Sequence, residues 1–265
     1  MNYLEGIPKT LYKYRSWSSE FHKTLLSGNE IFLSSPADLN DPFDASLPFR
    51  YKQEEMTPDN IYKKLIEVGR REWPDMSEQE LQELAFERQN SGVFENGDYW
   101  KEQHARSKES MHKSFGIFSC TTKNDNLLMW AHYADCHRGF CVGLDSEILY
   151  DTVGGVIRPV NYAESFPVMP LFEQKTSYMI EMLNTKSPEW GYEDEYRLTK
   201  SGASNKPFQL PNEAIKEVVL GCNMSHEHRK EIIEVLDSKL PHVEIFEAKT
   251  SLEYFKLDIF KTTRV

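Results

Sequence analysis

The sequence predicts an α+β fold: a mixed, mainly antiparallel β core carrying a helical insertion. Three observations predict it. Short β segments and amphipathic helices follow one another along the chain. The last two β segments, His242–Glu247 and Tyr254–Phe260, are joined by too few residues for anything but antiparallel pairing. Residues 51–113 shift to a Glu-, Lys- and Gln-rich composition with helical periodicity. A chain of 265 residues can bury a sizeable core, so one domain over residues 1–265, with 51–113 inserted into it, is the expected organisation.

The N-terminal piece reads strand, helix, strand. Leu11–Arg15 is the first strand, a helix follows from Ser18 to Leu26, and Glu30–Ser34 is the second strand. Ser18 is the expected N-cap and Gly28 the expected left-handed stop. Pro36 ends the second strand, and Asn40-Asp41-Pro42-Phe43 is a turn, because the proline forces Asp41 into extended backbone. Within the insertion, Thr57-Pro58 pairs a cap with proline at the first helical position, and Ser77 with Glu80 has capping-box spacing. Breaks at Trp73-Pro74 and Asn96-Gly97 divide the stretch into about three helices.

Phe115–Thr122 returns to a strand pattern, with Phe115, Ile117, Ser119 and Thr121 on one side. A helix from Leu127 to Cys136, a strand from Gly139 to Leu144, a strand from Ile157 to Tyr162 and a helix from Leu171 to Leu183 come next. Gly191–Thr199 is then a strand, Ile215–Leu220 another, and Ser225–Leu240 the last helix. No glycine-rich phosphate loop of either common spacing is present.

Thirty-one basic against forty-two acidic residues give a net charge of -11, which opposes non-specific attraction to nucleic acid. No apolar run approaches the roughly 18 residues of a membrane span, and the start carries neither a basic leader nor an apolar signal segment. A cytoplasmic protein without a membrane partner is expected. Cys120, Cys136, Cys141 and Cys222 are too irregularly spaced for a disulfide framework or a paired zinc knuckle. His132 and Cys136 stand four residues apart, with Cys141 just beyond, but buried cysteine most often behaves as a small hydrophobe, and no metal is expected.

The chemistry concentrates in Trp190–Leu198. In a strand, Glu193, Glu195 and Arg197 share one face, with same-face neighbours roughly 6.5–7 Å apart. Two carboxylates at that spacing can converge on one ribose and stabilise positive charge at a glycosidic carbon. Arg15 closes the first strand, and Ser119 and Thr121 lie on the middle one. Asn40 and Asp41 are further candidates to line a cleft, against the alternative that their turn hydrogen-bonds its own backbone. Trp130 reads as core, Lys186 as an ion-pair partner of Glu193 or Asp194, and Arg197 as the charge that holds the two glutamates. A metal-dependent nuclease built on Asp41, Glu193 and Glu195 lacks a catalytic lysine at nearby spacing.

Arg15, then Ser119-Cys120-Thr121, then Glu193-Asp194-Glu195 resemble, in that chain order, the motifs of the arginine-serine-glutamate class of ADP-ribosyltransferases, with Cys120 and Thr121 in place of the usual Thr and Ser. The resemblance implies an ADP-ribosyltransferase-like fold and NAD as substrate, its nicotinamide-ribose bond cleaved and ADP-ribose passed to a protein or nucleic-acid acceptor or to water. It assigns Glu195 to the oxocarbenium-like ribose, Glu193 to the acceptor, Arg15 to a phosphate and Ser119 to the nicotinamide ribose, with Thr121 a further residue of the NAD site. A second resemblance covers most of the chain. Tyr12–Arg15, Ser34–Phe43, Met129–Ala134 with His137–Cys141, and Trp190–Arg197 are similar to the bacterial domain of unknown function 2971 family. The setting these imply is a bacterial toxin or phage-defence effector. The competing expectation is a non-catalytic nucleotide-sensing or protein-binding module of such a system, working with a regulatory protein partner.

Overall fold

The computed structural model describes residues 5–48, 50–92, 96–172 and 175–264. Its strands are β1 (Thr10–Arg15), β2 (Glu30–Leu33), β3 (Phe115–Thr121), β4 (Phe140–Asp145), β5 (Val156–Pro159), β6 (Asn161–Tyr162), β7 (Thr185–Lys186), β8 (Glu195–Ser201), β9 (Lys206–Gln209), β10 (Ile215–Leu220), β11 (Glu244–Thr250) and β12 (Leu257–Lys261). The helices are α1 (Glu20–Ser27), α2 (Pro58–Glu72), α3 (Glu78–Asn90), α4 (Gly97–Ser114), α5 (Leu127–Tyr133), α6 (Ser146–Val153), α7 (Lys175–Leu183) and α8 (His226–Lys239). Residues 173 and 174, within the expected helix from Leu171, lie outside the described residues.

Eight strands form one sheet in the order β12-β11-β10-β4-β1-β3-β8-β5. Every pair in it is antiparallel except β10 with β11, which α8 connects as a crossover. The class is α+β with a mainly antiparallel sheet, as the closely spaced terminal strands required. One face carries the largest core: Leu25 and Leu26 of α1, Leu149 of α6, and Ile232 and Leu236 of α8 pack on Leu11, Phe118, Val142 and Val218. On the opposite face α5 closes a cluster around Tyr14 and Trp130, while Met111 of α4 and Met182 of α7 close another around Ile117. That burial of alternate strand residues on both faces fixes the register of the central strands.

One seam in this sheet is open. β3 pairs with β8 along its whole length, and β1 with β4 likewise, but β1 meets β3 at the single position Tyr12 with Thr121. Beyond it Lys13–Arg15 and Ser119–Phe118 separate, leaving backbone groups that a continuous ladder would have satisfied. Lys13 Nζ donates to the Ser119 carbonyl across this gap.

Several expected boundaries move. α1 begins at Glu20 behind Ser19, which makes no side-chain cap bond, and the left-handed residue after it is Asn29 (φ 50) rather than Gly28 (φ -132). α5 ends at Tyr133, three residues early, because Asp135, Cys136 and His137 all take left-handed backbone, at φ 50, 51 and 67. His132 and Cys136 therefore do not share a helix face. The expected strand Gly191–Thr199 is corrected most: Pro188–Glu193 is a 3₁₀ helix, Asp194 is left-handed (φ 46), and β8 starts at Glu195. Proline at the first 3₁₀ position, where its missing N–H costs nothing, starts this turn. The insertion's caps form as read: Thr57 Oγ1 accepts from the Asn60 N–H, and Ser77 with Glu80 makes a full capping box.

Candidate functional site

The open seam leads into a cleft of about 500 Å³. Lys13 and Arg15 of β1, Phe118 and Ser119 of β3, Asn40 of the loop after β2, Tyr133 of α5, and Trp190, Tyr192, Glu193 and Glu195 around the start of β8 all line it. Five of the seven residues singled out in the sequence, Arg15, Asn40, Ser119, Glu193 and Glu195, thus share one cavity. The other two do not line it. Thr121 is fully buried, and its hydroxyl accepts from the Lys123 N–H. Asp41 is buried, with its carboxylate accepting from the Phe43 N–H. That is the turn-stabilising alternative, and its cause is the Asx geometry that a short carboxylate two residues upstream offers.

The floor of the cleft is a buried ion network. Glu193 and Glu195 do not alternate along one strand, but the 3₁₀ turn and the left-handed Asp194 bring both carboxylates to Lys186. Lys186 Nζ donates to Glu193 Oε2 at 2.6 Å and to Glu195 Oε2 at 3.3 Å, and lies 4.6 Å from the centre of the Trp190 ring. Arg197 donates from Nε to Glu195 Oε1 at 2.8 Å and from Nη2 to Glu195 Oε2 at 3.0 Å. Its two terminal nitrogens also hold Asp44, at 2.7 and 2.6 Å, and Nη1 donates to the Leu183 carbonyl at 2.6 Å. Arg197 therefore holds one glutamate and Asp44, while Lys186 joins the two glutamates. Asp194, by contrast, is bonded to the Thr122 hydroxyl.

Charge states follow from these contacts. Burial alone would raise the Glu195 carboxyl, but Arg197 and then Lys186 outweigh it and bring it down to about 2. Burial would likewise lower Arg197, and Glu195 with Asp44 reverse that and raise it. Lys186 is raised against its own burial by Glu195 and Glu193. Tyr133 donates its hydroxyl to Glu193 Oε1 at 2.6 Å, and burial, then Glu193, push its own ionisation far up. Ser119, on the neighbouring strand, also lines the cleft and lowers Glu195 a little further.

The opposite wall differs in kind. The Arg15 guanidinium makes no hydrogen bond or ion pair with any described side chain, and burial lowers it to about 10, so it stays charged at neutral pH. Lys13 sits 4.9 Å from the centre of the Phe118 ring, its ammonium bonded to the Ser119 carbonyl. Aromatic groups frame the mouth: Tyr192 stands between Trp190 and His132, with ring centres 6.1 and 6.3 Å away. Trp130 is core, packed edge-on against Tyr14 with its indole N–H on the Asn124 carbonyl.

Sequence reasoning missed Asp44, Lys13 and Tyr133. Lys13 was within reach, since it stands two residues from Arg15 on the same strand face. Asp44 and Tyr133 come from separate loops and helices, which no local period connects. Among the described residues no group of three side chains converges as metal ligands, and no helix is long and apolar enough to cross a membrane.

Residues 129–198 match the model of a family described as protein of unknown function (DUF2971). The matched segment runs from α5 through the first half of β8 and holds Tyr133, Lys186, Glu193, Glu195 and Arg197, the ion network without Asp44. Arg15, Lys13 and Ser119 lie before it. No curated protein and no solved structure matches the chain.

Proposed function

We propose that this protein is ADP-ribosyltransferase-like in fold and activity, binding NAD in the seam cleft and breaking its nicotinamide-ribose bond. The observation that carries the reading is a cleft with, on one wall, a guanidinium, Arg15, that has no partner among the described side chains and, on the other, a buried carboxylate, Glu195. A planar fork without a carboxylate partner suits a phosphate oxygen pair. Aromatic rings at the mouth suit a planar base.

In the proposed reaction the C1′–N1 bond breaks with its electron pair moving to the nicotinamide nitrogen. The ribose becomes oxocarbenium-like, and the fixed, ionised Glu195 stabilises it in a water-poor site. Water or an acceptor nucleophile then bonds to C1′ and releases one proton. Glu193, with Tyr133 on one oxygen and Lys186 on the other, orients that nucleophile. Ser119, which lines the cleft with Glu195, holds the ribose.

The test is nicotinamide release from NAD by purified protein. E195Q is expected to lower it at least about a hundredfold, and R15M to weaken NAD binding by about tenfold or more. Full activity in E195Q overturns the assignment. One observation favours a second reading, a non-catalytic nucleotide-sensing module: both Glu195 oxygens are already engaged by Arg197 and Lys186. Tight ADP-ribose binding without nicotinamide release selects that reading.

A further inference from the structure

We propose that Lys13 and Arg15 together form a two-cation seat for a diphosphate group. The proposal rests on the cleft being a nucleotide site and requires no reaction there. Both side chains project from the same face of β1, two residues apart, at the point where β1 leaves β3 and the sheet opens. Same-face neighbours on a strand are roughly 6.5–7 Å apart, a spacing that two linked phosphates can span. The guanidinium offers a bidentate fork to one phosphate and the ammonium a point charge to the next.

What singles out this pair is the absence of a carboxylate partner. Lys186 and Arg197, the other cations of the cleft, are matched to Glu193, Glu195 and Asp44. Lys13 has a backbone carbonyl and the face of Phe118, and Arg15 has no partner among the described side chains. Two adjacent, partly buried basic groups without a counter-charge are costly to keep charged together. An anion between them relieves both the desolvation and the mutual repulsion.

Filling the seat takes up a proton. Burial, and then the neighbouring Arg15 charge, lower the Lys13 ammonium to about 7, so at neutral pH it is only partly charged. The groups facing it are Arg15 on its own strand, Cys120 on β3, His22 on α1, and Glu193 and Glu195 across the cleft. His22 is lowered to about 4 by burial and these two cations, Cys120 is raised to about 12 by burial, and Glu195 is near 2. None of those three titrates near neutrality. Glu193 is held by Lys186 and Tyr133. A dianionic ligand restores the Lys13 charge, and above about pH 7 it must do so at the cost of binding a proton from solution.

The experiment is calorimetric titration with ADP-ribose, whose diphosphate diester carries a constant charge over this range, and with adenosine as the phosphate-free control. Wild-type affinity is expected to weaken by up to about tenfold per pH unit as the pH rises above about 7, with adenosine binding far more weakly and without that trend. K13M is expected to bind ADP-ribose about tenfold to a hundredfold more weakly at pH 6 and to lose the trend. K13R, charged throughout, is expected to keep the affinity and also lose the trend, which guards against K13M simply failing to fold. The proposal is overturned if K13M matches the wild type in affinity and pH response, if adenosine binds as well as ADP-ribose, or if wild-type protein binds no ADP-ribose. ADP-ribose binding with the predicted trend but no nicotinamide release from NAD leaves the seat intact and removes only the catalytic reading.

Discussion

Arg197 is the residue on which the cleft floor depends most. It is 1 % exposed, and its side-chain nitrogens reach two carboxylates and a backbone carbonyl on three different segments. Removing it leaves Asp44 and Glu195 buried and half-paired, so R197M is expected to cost about 3–5 kcal/mol, read as a lowered urea midpoint. R197K should recover little of this, because an ammonium cannot reproduce the fork. Glu195 gives a pH prediction with a definite sign. Its folded carboxyl titrates near 2, below the unfolded value, so its contribution to stability is fully present above roughly pH 5 and is lost as the pH falls toward 2. The urea midpoint of wild-type protein should therefore exceed that of E195Q at neutral pH, and the difference should shrink through this acidic window. A difference that stays constant with pH would mean that Glu195 is not held by Arg197 and Lys186. The same contacts show that E195Q is not neutral for folding, so its activity must be compared at matched folded fraction.

At the scale of elements, the cleft depends on how tightly the loop after α5 packs against the end of β1. A Cβ on Gly139 would lie 2.2 Å from the Arg15 carbonyl oxygen and 2.9 Å from that of Ala134. Backbone atoms cannot yield as a flexible side-chain end does, so G139A should push Arg15 out of register and weaken ADP-ribose binding by about tenfold or more. G97A, where a Cβ meets nothing within 4 Å, is the matched control and should leave binding unchanged. Elements of this kind mark how far the sequence could be read. Short, mostly apolar runs such as Phe115–Thr121 and Ile215–Leu220 were legible nearly to their boundaries, because strands buried largely on both faces read as brief apolar segments rich in aromatic and β-branched residues. The run from Trp190 was legible in content and not in geometry. Pro188 starts a 3₁₀ turn that the left-handed Asp194 ends, so Glu193 reaches Lys186 by a turn rather than by strand alternation. The open seam was not legible at all, since whether β1 leaves β3 depends on what packs above and below both strands.

For the whole molecule, the question is how much of the chain the cleft needs. Between residues 51 and 113 lie α2, α3 and most of α4, and they are not equivalent. α4 is tied to the core: the His112 carbonyl accepts from the Ser35 and Ser204 hydroxyls, the Ser114 carbonyl from the Gly202 N–H, and Met111 is buried against Ile117 and Tyr178. α2 and α3 instead form a hairpin packed chiefly on itself, with Leu81 set against Gly69, Arg70 bonded to Glu78, and Arg88 over the Trp73 ring. None of their residues lines the cleft. The hairpin also begins where it ends, since the Gln89 side chain donates to the Pro58 carbonyl. A short Gly-Ser linker can therefore replace residues 57–91 without stretching the chain, and closing so short a loop costs little entropy. The shortened protein is expected to unfold in one transition and to bind ADP-ribose within about threefold of the full chain, while the same replacement of 97–114 should abolish folding. If excising 57–91 also destroys binding or cooperativity, the hairpin belongs to the core around Tyr51 and Met169, and the cleft needs the whole chain.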